Sequence, residues 1–309
     1  MSEVAGFDWM DAVHEAIGEA EIELLAGESD AATFRVMRSD GEPSVLKAVR
    51  QSDRKLESMR FQWNALSLFR KDIDFPGPRP LARHKVGDGI EAIEISYLPG
   101  RHPEFESDED FRTFGETIAR LHALSSAKTI AGAPVWDLRR IAPHFEDARL
   151  RRLMSDEERR IATFALERFG QSFQAQIDAA IWTGLVHSDS HRHNVVIDRG
   201  RGSLIDFGEC GFGPLFWDLG VAVADSAIDA PERGDACRSN LIAGYTSVLP
   251  QAENAVHEHL HVFEAMRSLE VMTWPVSDWS PERLNEDEDE AIENIELSSR
   301  YLETLLQAN

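Results

Sequence analysis

The spacing of apolar residues changes once along this chain, at "SYLPGRHP" (96–103), and no other feature restricts its fold as much. Ahead of that point, "AEIELLAGESDAATFRVMRSDGEPSVLKAVR" (20–50) reads as strand, turn, strand, "SDGEP" turn and strand. "SDRKLESMRFQWNALSLFRK" (52–71) has helical spacing, with Leu56, Met59, Trp63 and Leu66 on one face. Two more strands flank a "GDG" hairpin signal before residue 98. An amphipathic stripe of Phe7, Met10, Val13 or His14, and Ile17 precedes them all. Beyond "LPGRHPE" the pattern is helical, most clearly in "DEDFRTFGETIARLHALSS" and "SDEERRIATFALERFGQSFQAQIDAAI". The expected class is therefore α+β. A β-rich lobe over 1–98 holds a small five-stranded antiparallel sheet and one helix, and an α-rich lobe covers 99–309.

Composition narrows the function. The chain has 309 residues, enough to bury a core in two lobes. Its formal net charge of −23 offers no basic face to a phosphate backbone, so nucleic acid is not an expected partner. No run of 18 apolar residues is present, and "MSEVAGFDWMDAVHEA" lacks the form of a signal peptide. Two cysteines, Cys210 and Cys237, make neither a disulfide framework nor a four-cysteine zinc site. A cytoplasmic protein that does not enter the membrane is the expectation; the oligomeric state is left open.

"LVHSDSHRHNVVID" (185–198) carries the densest chemistry. Its histidines and Asp189 fit a zinc hydrolase reading through His187, Asp189, His191 and His193. Alternate-residue ligands would need an extended strand, and that reading leaves Lys47 and the Asp206 segment unexplained. The same letters spell His187-x-Asp189-x-x-x-x-Asn194, the spacing of a protein-kinase catalytic loop. There an aspartate takes the proton of the attacking hydroxyl, and an asparagine five residues on turns back to magnesium. "LIDFGECGFGPLFWDL" follows, with its Asp-Phe-Gly starting at Asp206, 12 residues after Asn194. A carboxylate just past a buried strand suits a ligand bridging magnesium to nucleotide phosphates.

With "HSDSHRHN", "LIDFGECGFGPLFWDL", "ISYLPG" and "IARLHALS" together, the chain resembles the aminoglycoside phosphotransferase and choline kinase-like superfamily. The likeness runs from about 20 to 275 and is strongest toward bacterial homoserine-kinase and stress-response-kinase relatives. It implies a bilobal, protein-kinase-like fold that uses ATP or GTP with Mg²⁺. By the same likeness Asp189 is the catalytic base, Asn194 and Asp206 are metal ligands, and His187 and His191 support the loop. Glu209 and Asp218 either reach the metal or order the loop. Ser188 stands where that family usually has glycine; a small residue is expected to be tolerated there, and the departure bears on the backbone φ.

A kinase also needs a strand lysine for the α and β phosphates, and "SVLKAVR" supplies Lys47. Gln62 falls where the helix glutamate that orients such a lysine is expected; Glu57, earlier on the same helix, is the other candidate. The phosphate-covering loop is "AGESDAAT", with backbone N–H groups near Ser29 and Asp30, and Ser96 to Leu98 form the adenine-facing linker. Trp274, Asp278 and Trp279 are candidate substrate contacts for an ammonium group. The expected reaction moves a γ-phosphoryl group to a small-molecule hydroxyl on an aminoglycoside, amino alcohol or amino acid. A Ser/Thr protein kinase is the alternative, against which Asp206 to Asp218 leaves little room for an activation segment. A catalytically weak nucleotide-binding module, prompted by Gln62, is the other.

Overall fold

A computed structural model describes residues 9–27, 31–39, 41–50, 53–86, 89–125, 132–277 and 279–308. The chain divides into two compact units, Met1–Gly100 with Ser203–Cys210, and Arg101–Gly202 with Gly211–Asn309. The single cut near residue 98 expected from the sequence thus misses one segment. Residues 203–210 leave the helical part of the chain and pack with the first unit.

In the first unit, α1 (Trp9–Ile17) precedes β1 (Glu21–Gly27), β2 (Ala31–Met37) and β3 (Ser44–Arg50). Then come α2 (Asp53–Leu68), β4 (Pro80–Lys85) and β5 (Ile90–Ser96). The five strands form one sheet in the order β1-β2-β3-β5-β4, antiparallel throughout. Alternation decides its two faces. Ala32, Phe34, Val36, Leu46, Ala48 and Ala92 form a core with Val13 of α1. Lys47, between Leu46 and Ala48, consequently points to the opposite face. α2 buries Leu56, Met59, Phe61, Gln62, Ala65 and Leu66, and it packs on β3, β4, β5 and the 207–209 turn. Phe207 meets Phe75 at 5.7 Å between centroids, and Phe75 stacks on Phe69 at 4.6 Å.

The second unit starts with α3 (Asp108–Ser125), α4 (Ala148–Leu153) and α5 (Asp156–Ala179). A capping box opens α5, where Ser155 and Glu158 satisfy each other's backbone N–H groups. Short strands follow: β6 (Thr183–Val186), β7 (Val195–Asp198), β8 (Arg201–Leu204), whose last two residues belong to the first unit, and β9 (Gly211–Pro214). β6 pairs with β9 antiparallel, from Thr183↔Pro214 to Val186↔Gly211. That pairing brings the segment after β6, residues 187–194, beside the helix that follows β9. The remaining helices are α6 (Phe216–Asp229), α7 (Gly234–Val248), α8 (Glu253–Ser277), α9 (Pro281–Glu286) and α10 (Glu288–Ala308). Trp217, Phe216, Phe263, Phe173 and Tyr245 fill the core between them. The acidic run 285–290 ends α9 and supplies the first turn of α10, where carboxylates favour the helix dipole. Among the described residues no helix is long and apolar enough to cross a membrane.

Candidate active site

The first unit holds Lys47 and Asp206. Lys47 sits on β3 opposite Thr33 of β2 and Ile93 of β5. Its side chain is 16% exposed, and its Nζ donates to Asp206 Oδ1 at 2.5 Å. Asp206 adopts a left-handed φ of +57°, which short polar residues tolerate best. It caps the 207–209 turn, its Oδ1 accepting from Gly208 N–H at 3.2 Å. Ser58 of α2 donates its hydroxyl to the Gly208 carbonyl, so the helix holds this turn directly.

The expected helix partner of Lys47 is not what the structure shows. Glu57 is exposed, and Gln62 is buried with no hydrogen-bond partner for its Nε2 among the described residues. Neither bonds Lys47 among the described residues; the lysine's partner is Asp206. Ser96 is committed to the sheet, taking Arg79 N–H on its Oγ at 2.8 Å and giving its own N–H to Arg79 O. Leu98 is half-buried, and no backbone hydrogen bond among the described residues uses it. Glu209 is exposed at the end of the 207–209 turn. Ser29 and Asp30 lie outside the described residues.

In the second unit Asp218, fully buried in the first turn of α6, holds the 187–194 loop. Its Oδ2 accepts His187 N–H at 2.8 Å and its Oδ1 accepts Ser188 N–H at 2.7 Å. His122 of α3 adds Nε2 to Oδ2 at 2.9 Å, while Tyr245 of α7 lies 2.9 Å from His122 Nδ1. A proton on Nε2 and an accepting Nδ1 satisfy both contacts. Ser190 Oγ donates to Asp218 O, and Trp217 Nε1 donates to Ser188 O. Ser188 adopts the glycine-like conformation its position demands, with φ at +72°. Asp218 is thus bonded to the loop's backbone, and His187 is fully buried behind it.

Held this way, the loop presents Asp189 with its side chain 32% exposed. Asn194 Nδ2 donates both to Asp189 O and to its Oδ2, each at 2.8 Å. His191 Nε2 is 3.4 Å from the same Oδ2, and its Nδ1 accepts His193 N–H. Burial pushes the Asp189 carboxyl up. The hydrogen bond from His191, with the charges of His191, Arg267 and His187, outweighs burial and holds it well below the usual carboxylate range. His191 mirrors this: burial lowers it, but Asp189 raises it above its ordinary value. The four alternating residues 187, 189, 191 and 193 do not converge on a metal. Among the described residues, no group of three His, Cys, Asp or Glu could hold one.

Sequence reasoning missed a cluster behind Asp189. Arg267 of α8 is 2% exposed and grips Asp225 of α6 with Nε–Oδ1 at 3.0 Å and Nη2–Oδ2 at 2.8 Å. Its Nη1 reaches Glu270 at 2.7 Å, its Nη2 lies 3.7 Å from Asp189 Oδ1, and its face covers the Trp274 ring at 4.6 Å. Burial pushes the Glu270 carboxyl up to about 7 against the pull of Arg267. The sequence did hold a signal. Glu264, Arg267 and Glu270 stand three apart in the apolar "HVFEAMRSLEVMTW", and charges on the buried face of a helix need partners. Of the candidate substrate residues, Trp274 joins this cluster. Trp279 lies under Arg283 at 4.3 Å, and Asp278 is outside the described residues.

No curated protein sequence matches the chain. Among solved structures, a microcompartment-associated aminopropanol kinase is 24% identical, over 94% of this chain and 93% of its own, with a TM-score of 0.74. An amicoumacin kinase in complex with AMP-PNP, Ca²⁺ and Ami is 15% identical over 90% and 88%, at 0.63. A thermostable mutant of the aminoglycoside phosphotransferase APH(4)-Ia, with AMP-PNP and hygromycin B, is 15% identical over 94% and 97%, at 0.62. At such identities the likeness is one of fold. The sequence itself goes further, because residues 21–255 match the model of the phosphotransferase enzyme family. That span contains Lys47, Asp189, Asn194, Asp206 and Asp218, and the chain belongs to this phosphotransferase family, within the aminoglycoside phosphotransferase and choline kinase-like superfamily.

Proposed function

We propose that the chain transfers the γ-phosphoryl group of ATP or GTP to a hydroxyl of a small, amine-bearing molecule in the cytoplasm. The observation that carries this reading is the state of Asp189. Its carboxylate is half-buried, fixed through Oδ2 by Asn194, and held below the usual carboxylate range by the cations beside it. Such a group receives the proton of a hydroxyl as the oxygen attacks phosphorus. Lys47 neutralises nucleotide phosphates, and the N–H and C=O of Leu98 suit the adenine edge. The first unit is then the nucleotide-binding part and the second the catalytic part.

Asn194 and Asp206 are the residues for magnesium, and their chemistry fits a hard cation. Asn194 gives its amide protons to Asp189, so its oxygen is the atom left to offer, and Asp206 offers a carboxylate. When bound, magnesium would offset the charge that develops on the phosphoryl oxygens. The amine preference is supported by the excess of carboxylates near Asp189. Asp225 and Asp189 itself share the Arg267 guanidinium, and Glu270, raised to about 7, adds part of a charge near neutral pH. The similar folds named for aminopropanol, amicoumacin and aminoglycosides point the same way.

A screen of amino alcohols, aminoglycosides, hydroxy amino acids and neutral sugars with ATP and GTP tests this. Asp189→Ala is expected to lower turnover by about 10²–10⁴-fold with nucleotide affinity retained. Full turnover in that variant would remove the base assignment, and equal use of neutral sugars would remove the amine preference. Nucleotide binding without transfer to any acceptor would favour the weak-module reading that Gln62 prompts, and transfer to a protein serine or threonine would favour the protein kinase.

A further inference from the structure

We propose that Arg267 is a positioning residue for Asp189, an inference that rests on reading Asp189 as the base. A carboxylate that receives a proton must present one oxygen and hold the other still. Asp189 Oδ2 is held by Asn194 at 2.8 Å, and Oδ1 is left with the Nη2 edge of Arg267, 3.7 Å away. That distance is too long to tie up Oδ1 and short enough to set its direction by charge. Oδ1 is therefore the oxygen that meets the acceptor's hydroxyl, and Arg267 fixes the plane in which it lies.

Arg267 is itself immobilised to a degree that a helix tie does not require. Two carboxylates hold three of its nitrogens, Asp225 through Nε and Nη2 and Glu270 through Nη1. The Trp274 ring covers one face. The bidentate pair with Asp225 alone would join α8 to α6. The further ligands keep the Nη2 edge aimed, and a supporting group locked by its own contacts is what positions a reacting one. A lysine would keep the charge but lose the planar fork.

The test uses the whole protein with MgATP and water as the acceptor. Steady-state hydrolysis is measured for the wild type, Asp189→Asn, Arg267→Lys and the double variant. Arg267→Lys is expected to lower kcat by about 10²-fold, the scale of a misplaced reacting group, at unchanged KM for ATP. The double variant is expected to be no slower than Asp189→Asn, because Arg267 acts only through Asp189. Wild-type kcat in Arg267→Lys overturns the inference, whatever its thermal midpoint; so does a further loss in the double variant equal to that in the single one. Wild-type hydrolysis by Asp189→Asn instead overturns the base assignment, and this inference with it. Should Arg267→Lys fail to fold, Asp225→Asn loosens the same fork. It is expected to lower kcat about tenfold at unchanged KM, and an unchanged kcat there overturns the inference as well.

Discussion

Ser188 holds a φ of +72°, and its buried hydroxyl has no hydrogen-bond partner among the described residues. The left-handed angle costs an L-residue about 1–2 kcal/mol, and the orphan hydroxyl about 1–3 kcal/mol. Glycine removes both at a cost of about 0.5–1 kcal/mol in unfolded-chain entropy. Ser188→Gly is therefore expected to stabilise the protein by about 1 kcal/mol or more, read as a higher urea midpoint; an unchanged or lower midpoint would refute the strain. The position was marked in the sequence because the motif around it asks for glycine. Lys47, Asp189, Asn194 and Asp206 were legible for a related reason, since the spacing of reacting groups along one loop or strand is local. Arg267 was not. Its meaning depends on Asp225, 42 residues away, and on Asp189, which only the packing of α6 and α8 brings near. Ser58 was hidden likewise, because its partner is the backbone of Gly208, 150 residues on.

The crossing of α3 and α7 shows the same limit one level up. α3 is readable from its apolar stripe, yet nothing local says that it touches α7. Gly115 and Gly244 make the crossing close. A Cβ on Gly115 would stand 2.1 Å from Leu241 O, and one on Gly244 would stand 2.0 Å from Arg112 O. A glycine inside a helix reads first as a weakness of about 1 kcal/mol; here each one admits a neighbouring backbone. The obstacle is a carbonyl, which cannot rotate aside, so Gly244→Ala is expected to destabilise by about 3 kcal/mol or more. Activity should fall with it, because Tyr245 and His122 at this crossing lead to Asp218 and the catalytic loop. A thermal midpoint within a degree of the wild type would show that the helices separate without cost. The sheet was legible by contrast, because alternation and turn residues specify antiparallel neighbours in chain order. Only the exchange of β4 and β5, which puts β5 beside β3, needed the structure.

Across the whole chain, 55 acidic residues face 32 basic ones. Exposed pairs such as Arg160–Glu157 and Arg300–Glu296 contribute little, and salt weakens them. The excess of 23 carboxylates repels, and salt weakens that too. The imbalance wins, so raising salt from about 0.02 to about 0.5 M at pH 7.5 should raise the thermal midpoint. Individual groups say where in pH the effect belongs. Glu270, which burial raises to about 7, destabilises as pH climbs from about 4.3 to about 7, because the folded state keeps its proton longer. The stability that His191 gains from Asp189 is complete below about 6.5 and is lost as pH rises through its elevated folded value. Burial holds His193 and His261 below the ordinary value, which works the other way under about pH 6.5. At the acid end, Glu94 and Asp110 resist the upward push of burial through Arg38, Ser44 and His84 in one case, and through Arg101 in the other. Both are depressed, so their stabilisation is present above about pH 4 and lost as pH falls through their folded values. The balance puts maximum stability between about pH 5 and 6, where the net charge is smaller and added salt should change the midpoint little. Thermal scans over pH 4–8 at both salt levels check this, and a midpoint that falls with salt at pH 7.5 would show that ion pairs, not the unmatched carboxylates, govern the stability of the molecule.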